Sequence, residues 1–247
     1  KMGAPWFQLK DLASRHGILA LSSNYTLYAD MSNRMMSVLG SYSPQQEIYS
    51  IDECFLGLDG FPAEGLADMG QRIRQQVRQW VGIPVCVGIA PTKTLAKLAN
   101  HCAKKNLAGA DSVCDFDRIA ANDLSRLFES IEVGEVWGVG RRLSEQLGAM
   151  GIATVRALRD ADTALIRREF SVVLERTVYE LRGVSCLALE EVAPNKQQIM
   201  ASRSFGEYVY ALADLEEAVS TYIARAAEKL RRQRSVANAV QVYIRTN

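Results

Sequence analysis

Two adjacent acids, Asp52 and Glu53, interrupt the otherwise apolar stretch Glu47–Leu58. Neighbouring strand residues face opposite sides of a sheet, but this alternation breaks down at a tight turn, so both carboxylates could reach one site at the sheet edge. Carboxylate oxygens suit Mg²⁺, which favours a couple of carboxylates plus substrate phosphates. The pair therefore predicts a metal site. The alternative is the polar tip of a hairpin, although this turn has no Gly or Asn.

Four lysines and no acid lie in the segment Pro91–Asn106, which is predicted to be a helix that starts at Pro91. With Lys93 at zero, Lys97 lies at about 40° and Lys104 at about 20° around the helix axis. The other side is apolar and carries Leu95, Leu98, Ala99 and Cys102. Because no acid stands four residues away, the three ammonium groups repel one another unless an anion lies nearby. A polyphosphate or a nucleic-acid backbone would supply that anion; a solvated helix face is the alternative.

A glycine turn follows in the segment Val136–Leu143, which joins two helical stretches. The pattern is typical of a helix-hairpin-helix. Gly138 and Gly140 let backbone amides at the helix start approach a phosphate closely, and Arg141 and Arg142 stand beside them. Such contacts hold DNA without reading its sequence. An ordinary turn between two packed helices remains the alternative.

The segments that carry these residues indicate an α+β fold. Short β-branched runs predict strands at 47–58, 83–90 and 112–116, and helical spacing predicts a helix at 66–80. The order strand, strand, helix, strand implies an antiparallel or mixed sheet with helices on one face.

The rest of the chain divides into a helical and a mixed part. Residues 118–189 are predicted to be wholly helical with short Gly-containing breaks, and 190–198 are predicted to be a polar tether. Residues 199–208, 214–232 and 237–245 then predict strand, helix and strand, which is a partial βαβ unit. The first residue is Lys1, and the last strand stops at Asn247, so both ends are expected to be cuts through a longer protein.

The amino-acid composition limits the functions that this protein could have. The 247 residues include 29 Lys and Arg and 28 Asp and Glu, a net charge of +1, so a nucleic-acid site must come from local clustering. The five cysteines include no CxxC pair, which argues against zinc or thiol redox chemistry. No apolar run approaches a membrane span and no secretory pattern opens the chain, so we expect a cytoplasmic protein without a membrane partner.

Taken together, the motifs resemble those of a known family. YSIDE at 49–53, GIAPTKTLAKLANHCAKK at 88–105 and VWGVGRR at 136–142 resemble, in order and spacing, the Y-family translesion DNA polymerases. The segments at 22–34 and 202–207 are similar to its UmuC, ImpB and MucB branch, which supplies catalytic subunits of the DNA polymerase V type.

The resemblance implies the domains and the roles of residues. It implies the end of the fingers at 1–21, a palm at 22–117 without its first strand, a helical thumb at 118–189, a linker at 190–198 and the first half of a little-finger domain at 199–247. Asp52 and Glu53 would be catalytic metal ligands for two Mg²⁺ ions, and Lys104 would bind the incoming triphosphate. The DNA-binding residues would be Lys93, Lys97, Gly138, Gly140, Arg141 and Arg142.

The activity implied is error-prone translesion synthesis in DNA repair and the SOS response. The implied partners are primer-template DNA and a deoxynucleoside triphosphate, and further a sliding clamp, a small UmuD-like accessory dimer and a recombinase filament. The family's first aspartate ligand and its fingers Tyr and Arg have no counterpart here, so we expect the longer parent to be a polymerase and these residues alone to be inactive. A non-catalytic damaged-DNA-binding module and a regulatory or scaffold subunit stay open.

Overall fold

The computed structural model describes residues 4–190 and 195–245, which belong to two compact units, 1–191 and 192–247. The helices of the first unit are α1 (Trp6–His16), α2 (Tyr25–Gly40), α3 (Leu66–Val81), α4 (Lys93–Lys105), α5 (Ala121–Ser130), α6 (Arg141–Ala149), α7 (Val155–Asp160), α8 (Thr163–Glu169) and α9 (Val172–Leu181). Its strands are β1 (Gln46–Ile48), β2 (Cys54–Leu56), β3 (Val87–Ile89) and β4 (Val113–Asp115). No helix in these ranges has both the length and the apolar character to cross a membrane.

Strands β1 and β2 form an antiparallel hairpin that carries the acidic pair at its tip. Glu47 lies opposite Phe55 in the register. The turn is closed by the amides of Tyr49 and Ser50, which donate to the carbonyl of Glu53 at 3.1 and 3.0 Å. The predicted hairpin is confirmed, although each strand is shorter than the apolar runs suggested.

Strands β3 and β4 are parallel neighbours joined through α4. Gly88 in β3 makes this packing possible, because a Cβ there would overlap the carbonyl oxygen of Ala96 and the backbone nitrogen of Asn100 in α4. Within the described ranges the two strand pairs remain separate sheets. The predicted α+β class is confirmed; a continuous sheet is not seen, because no described strand bridges the two pairs.

Helix α4 has the amphipathic character expected from its sequence. The Thr92 side chain accepts a hydrogen bond from the Leu95 amide, so the helix begins at Lys93 rather than at Pro91. Leu95, Leu98, Ala99 and Cys102 are buried, as predicted. Asn106 ends the helix in the left-handed region with a φ of 54°.

One hydrophobic core joins α4 to the helical region that follows it. Its members run from Leu95 through Phe128 and Leu147 to Leu181. A second cluster packs α2 against α3. Burial raises the pKa of Cys102 to about 12 and that of Cys114 to about 11, which keeps these two core thiols protonated.

The second unit contains one described helix, α10 (Leu212–Arg232), close to the predicted 214–232. The flanking segments 199–208 and 237–245 were predicted as strands, but their described residues carry no strand assignment. The two segments contact each other where the Tyr243 hydroxyl lies 3.3 Å from the Met200 sulfur. A strand requires a hydrogen-bonded backbone neighbour, and these segments have none in the described part of the unit.

Candidate active site

The tip of the β1–β2 hairpin exposes both predicted metal ligands, Asp52 and Glu53. The Ser50 hydroxyl donates to Asp52 Oδ1 at 2.6 Å and orients that carboxylate. The neighbouring apolar side chains are also exposed, with 56% of Ile48 and 51% of Ile51 accessible. The tip is therefore an open surface on which carboxylate oxygens can meet a ligand.

Lys97 brings the basic face of α4 to this tip. Its Nζ lies 2.6 Å from Glu53 Oε1, with side-chain exposures of 22% for Lys97 and 45% for Glu53. The same ammonium lies 5.4 Å from the centre of the Tyr49 ring, within the range of a cation–π contact. A carboxylate from the turn of the distant hairpin thus supplies the counter-charge for which the sequence suggested a phosphate.

Lys93 is held lower on the same hairpin by a buried partner. Its Nζ lies 2.6 Å from Glu47 Oε2, with side-chain exposures of 11% and 8%. It also donates to the carbonyl of Ala188 at 3.3 Å and lies 4.8 Å from the centre of the Phe55 ring. The DNA contact of Lys93 stays a prediction, and its present contacts are all within the fold.

Lys104 is the third lysine of the face and is exposed near the C-terminal end of α4. No carboxylate of residues 4–190 or 195–245 forms an ion pair with it. Of the three aligned lysines, Lys104 is therefore the one whose charge remains available to an external anion.

The glycine turn lies close to the hairpin. Gly138 has a φ of 88°, which favours glycine, whereas Gly140 has a φ of −79° and a ψ of 171°, which any residue adopts. Gly140 precedes α6, whose first turn has no side-chain cap. The Trp137 indole donates to the Tyr49 hydroxyl at 3.2 Å, so the turn and the acidic hairpin are in direct contact.

The arginines after the glycine turn, Arg141 and Arg142, are both exposed. Arg141 is 89% exposed at its side chain, and its Nε lies 3.7 Å from Glu145. An exposed ion pair of this kind is weak, so the Arg141 guanidinium can bind another anion in place of Glu145.

The donor set at the tip fits part of a magnesium site. Asp52 and Glu53 offer hard oxygen ligands at an exposed turn, as Mg²⁺ prefers. No group of three or more acidic, histidine or cysteine side chains in the described ranges converges on a metal position. Phosphate oxygens, water or further residues would have to complete the coordination, and a cation at Glu53 would compete with Lys97.

The sequence motifs did not predict a role for three residues that position this site: Glu47, Trp137 and Glu180. Glu180 is fully buried, and its Oε2 accepts from the Thr94 amide at 3.0 Å in the first turn of α4. A carboxylate inside the strand run was the available signal for Glu47. Nothing in the helical spacing marks Glu180, because its partner Thr94 lies 86 residues away along the chain and its nearer partners are backbone amides that follow the helix.

Solved structures with this fold are Y-family DNA polymerases. A Dbh-based Y-family polymerase chimera has a TM-score of 0.71 at 20% identity and covers 93% of this chain and 64% of its own. An insertion ternary complex of Dbh DNA polymerase has a TM-score of 0.62 at 20% identity with the same coverage. At this identity the likeness establishes the fold.

Curated relatives are much more similar in sequence. Protein UmuC of Salmonella typhimurium is 49% identical over 246 residues, and Protein MucB of Escherichia coli is 48% identical over 248 residues. The chain spans about 58% of the length of both relatives. A DNA polymerase IV of Sulfurisphaera tokodaii is 30% identical over 154 residues, which is 41% of its length.

Two family models match separate parts of the chain. Residues 1–101 match the impB/mucB/samB family and residues 196–247 match the C-terminal domain of the same family, so together they include the acidic hairpin, most of α4 and α10. The chain therefore belongs to the impB/mucB/samB family, and it has the fold of Y-family DNA polymerases.

Proposed function

We propose that this chain supplies the metal-binding hairpin and part of the DNA-holding surface of an error-prone translesion DNA polymerase that acts in DNA repair and the SOS response. The reaction is DNA-templated nucleotidyl transfer by the complete protein. The observation that carries this proposal is the meeting of the acidic tip and the lysine face, where Lys97 Nζ lies 2.6 Å from Glu53. A nucleotide polyphosphate with its metal ions needs both kinds of group on one surface.

The residues of the tip have distinct tasks in this reaction. Asp52 and Glu53 hold Mg²⁺, and two such ions, when bound, stabilise the attacking and leaving oxygens of an in-line displacement. Lys97 neutralises Glu53 until a metal replaces it. Lys104, whose charge is exposed, binds the triphosphate electrostatically.

The glycine turn holds the DNA backbone. Gly140 needs no special backbone conformation, and nothing lies within 4 Å of the place where its Cβ would be. Close approach of a phosphate to the amides of α6 gives a reason for glycine here. Arg141 and Arg142 add positive charge beside that position, and Lys97 belongs to the same basic surface.

The partners follow from the same assignment. Primer-template DNA and a deoxynucleoside triphosphate are the substrates, in agreement with the ternary complex described for Dbh DNA polymerase. A sliding clamp, a UmuD-like dimer and a recombinase filament would regulate the complete protein, and the cytoplasm would be its compartment. The 247 residues alone are expected to be inactive.

Primer extension by a longer protein that contains this chain tests the metal site. Asp52→Ala and Glu53→Ala should each abolish extension, whereas Asp59→Ala removes a nearby exposed carboxylate and should leave it unchanged. Full activity of either variant at the tip would show that the metal site is wrongly assigned.

A non-catalytic DNA-binding module is the second candidate. It is favoured by the fact that only two acids stand at the tip within the described ranges. Fluorescence anisotropy with duplex DNA at two salt concentrations tests it: Arg141→Glu should weaken binding, and Arg126→Glu, at an equally exposed arginine, is the matched control. Absence of binding by the unmodified chain at low salt would exclude this function.

A further inference from the structure

The ammonium group of Lys93 lies among contacts from this chain, and only 11% of the Lys93 side chain is exposed. It donates to Glu47 Oε2 at 2.6 Å and to the Ala188 carbonyl at 3.3 Å, and it lies 4.8 and 5.9 Å from the ring centres of Phe55 and Trp137. An ammonium has three N–H donors. Two are used in hydrogen bonds and the remaining direction faces aromatic rings, so a phosphate could bind only after one of these contacts broke.

The Ala188 carbonyl belongs to a short segment, residues 184–190, that we call the exit strap. It follows α9 and ends where the described part of the first unit ends. The strap has no helix or strand of its own, so the prediction of a wholly helical region up to residue 189 is wrong beyond the end of α9. Its position must therefore come from contacts with the rest of the unit.

Two buried carboxylates provide those contacts. Glu180 Oε1 accepts from the amides of Cys186 and Leu187 at 2.6 and 3.2 Å. Glu47 Oε2 accepts from the Glu190 amide at 2.8 Å, in addition to its bond with Lys93. The strap is thus held by carboxylates at its middle and at its last residue, one from α9 and one from β1.

An apolar contact strengthens the second attachment. The Leu189 side chain reaches the end of the hairpin, where its Cδ1 lies 2.9 Å from the position that a Cβ on Gly57 would occupy. No buried polar side-chain atom in the described residues lacks a hydrogen-bond partner, so the charges of Glu47 and Lys93 are both satisfied inside the fold.

We propose that Lys93 is a positioning residue that joins three parts of the unit: the hairpin that carries Asp52 and Glu53, the turn beginning at Trp137, and the exit strap. Through Glu47 and Ala188 it fixes the point from which the chain leaves the first unit. It does not contact DNA. The proposal deepens the proposed function and rests on it only for the roles of the hairpin and the turn.

Hydrogen exchange of the strap amides tests the attachment without any assay of activity. The double variant Glu47→Val, Lys93→Met removes both charges together and leaves no unpaired charge in the interior, so the chain should still fold. The Glu190 amide should then exchange about tenfold faster or more, because it loses a hydrogen bond to a charged acceptor. The Cys186 and Leu187 amides, held by Glu180, should change much less.

Two controls separate this effect from a general loosening of the structure. Glu190→Ala keeps the amide and removes only an exposed side chain, so exchange at residue 190 should stay slow. Lys97→Met removes the other ion pair of the hairpin and should leave the strap unchanged. Unchanged exchange at Glu190 in the double variant would overturn the proposal.

The salt dependence of DNA binding distinguishes a positioning residue from a DNA contact. Each lysine that neutralises a phosphate adds about 0.9 to the slope of log K against log salt for duplex DNA. The double variant should keep the slope of the unmodified chain, whereas Arg141→Gln should lower it. A slope lowered by about 0.9 in the double variant would show that Lys93 binds phosphate and that our inference is wrong.

A different result would contradict the proposed function. If the unmodified chain bound no DNA, the function of the glycine turn would be wrong, while the exchange experiment would still decide whether Lys93 holds the strap. Restored protection at Glu190 in Lys93→Arg, against fast exchange in Lys93→Met, would further support a role through charge and hydrogen bonding.

Discussion

At the base of the β1–β2 hairpin Lys93 meets Glu47, and at its tip Lys97 meets Glu53; both Nζ–O distances are 2.6 Å. The side chains at the base are 11% and 8% exposed, and those at the tip are 22% and 45% exposed. The same two residue types, one helical turn apart on α4, therefore form one ion pair that is shielded from water and one that is open to it.

Burial decides what each pair can do. A buried ion pair cannot lose one partner without leaving a charge in a poor solvent, so it is a fixed part of the structure. An exposed pair is weak and its partners can be replaced by water, salt or a ligand. We conclude that the base fixes the position of the hairpin, and that the tip has the weak, exposed ion pair that the proposed metal site would require.

The largest expected effect on the free energy of unfolding is at the base of the hairpin. Lys93→Met leaves Glu47 buried without its cation and should lower the free energy of unfolding by about 3–5 kcal/mol. Urea unfolding measured by circular dichroism gives this value. Glu47→Val, Lys93→Met should recover most of the loss, and a single variant as stable as the unmodified chain would remove the distinction between base and tip.

The buried network next to the base should respond nearly as strongly. Glu180→Gln places an amide where one carboxylate accepts from Thr94, Cys186 and Leu187, so at least one buried N–H loses its acceptor. We expect a loss of about 1–3 kcal/mol in the same unfolding experiment. Glu175→Gln on the same helix, where the carboxylate pairs with an exposed arginine, is the comparison and should cost much less.

Substitutions at the tip of the hairpin should have little effect on stability. Lys97→Met should change the free energy of unfolding by no more than about 1 kcal/mol, because water can solvate Glu53 once the lysine is gone. A loss comparable to that of Lys93→Met would mean that the tip is as tightly constrained as the base and unable to release Glu53 to a metal.

The smallest expected effect is the salt dependence of these differences in stability. Added salt screens exposed charges within a few ångströms but has little access to a buried pair. The stability difference between Lys97→Met and the unmodified chain should vanish at about 1 M NaCl, whereas that for Lys93→Met should persist. Equal sensitivity of both differences to salt would contradict the burial of the base.

Local patterns in the sequence predicted most of what lies within one element. The spacing of Leu95, Leu98 and Cys102 correctly placed the buried side of α4, and the run around Asp52 correctly placed a hairpin. The partners of the lysines were not predicted, because Glu47 lies 46 residues from Lys93 and comes from a strand. Helical periodicity predicts which side of a helix is polar. It does not predict which distant carboxylate will face that side.

The same limit explains the second unit. The segments at 199–208 and 237–245 are predicted from the sequence as strands, but strand formation depends on a neighbour supplying backbone hydrogen bonds. Helix α10 satisfies its own backbone, so its position was predicted to within two residues at its start.

The lack of a side chain at Gly88 has a mechanical consequence. Because α4 packs directly on the backbone of β3 there, a methyl group at Gly88 would overlap the backbone of Ala96 and Asn100 and push the helix away from the strand. Such a displacement would also move Lys93 and Lys97 relative to the hairpin, so both ammonium–carboxylate pairs depend on this glycine. A random mutagenesis library of this protein should tolerate almost no exchange at this single glycine, whereas the exposed Lys105 of α4, which has no assigned role, should tolerate many.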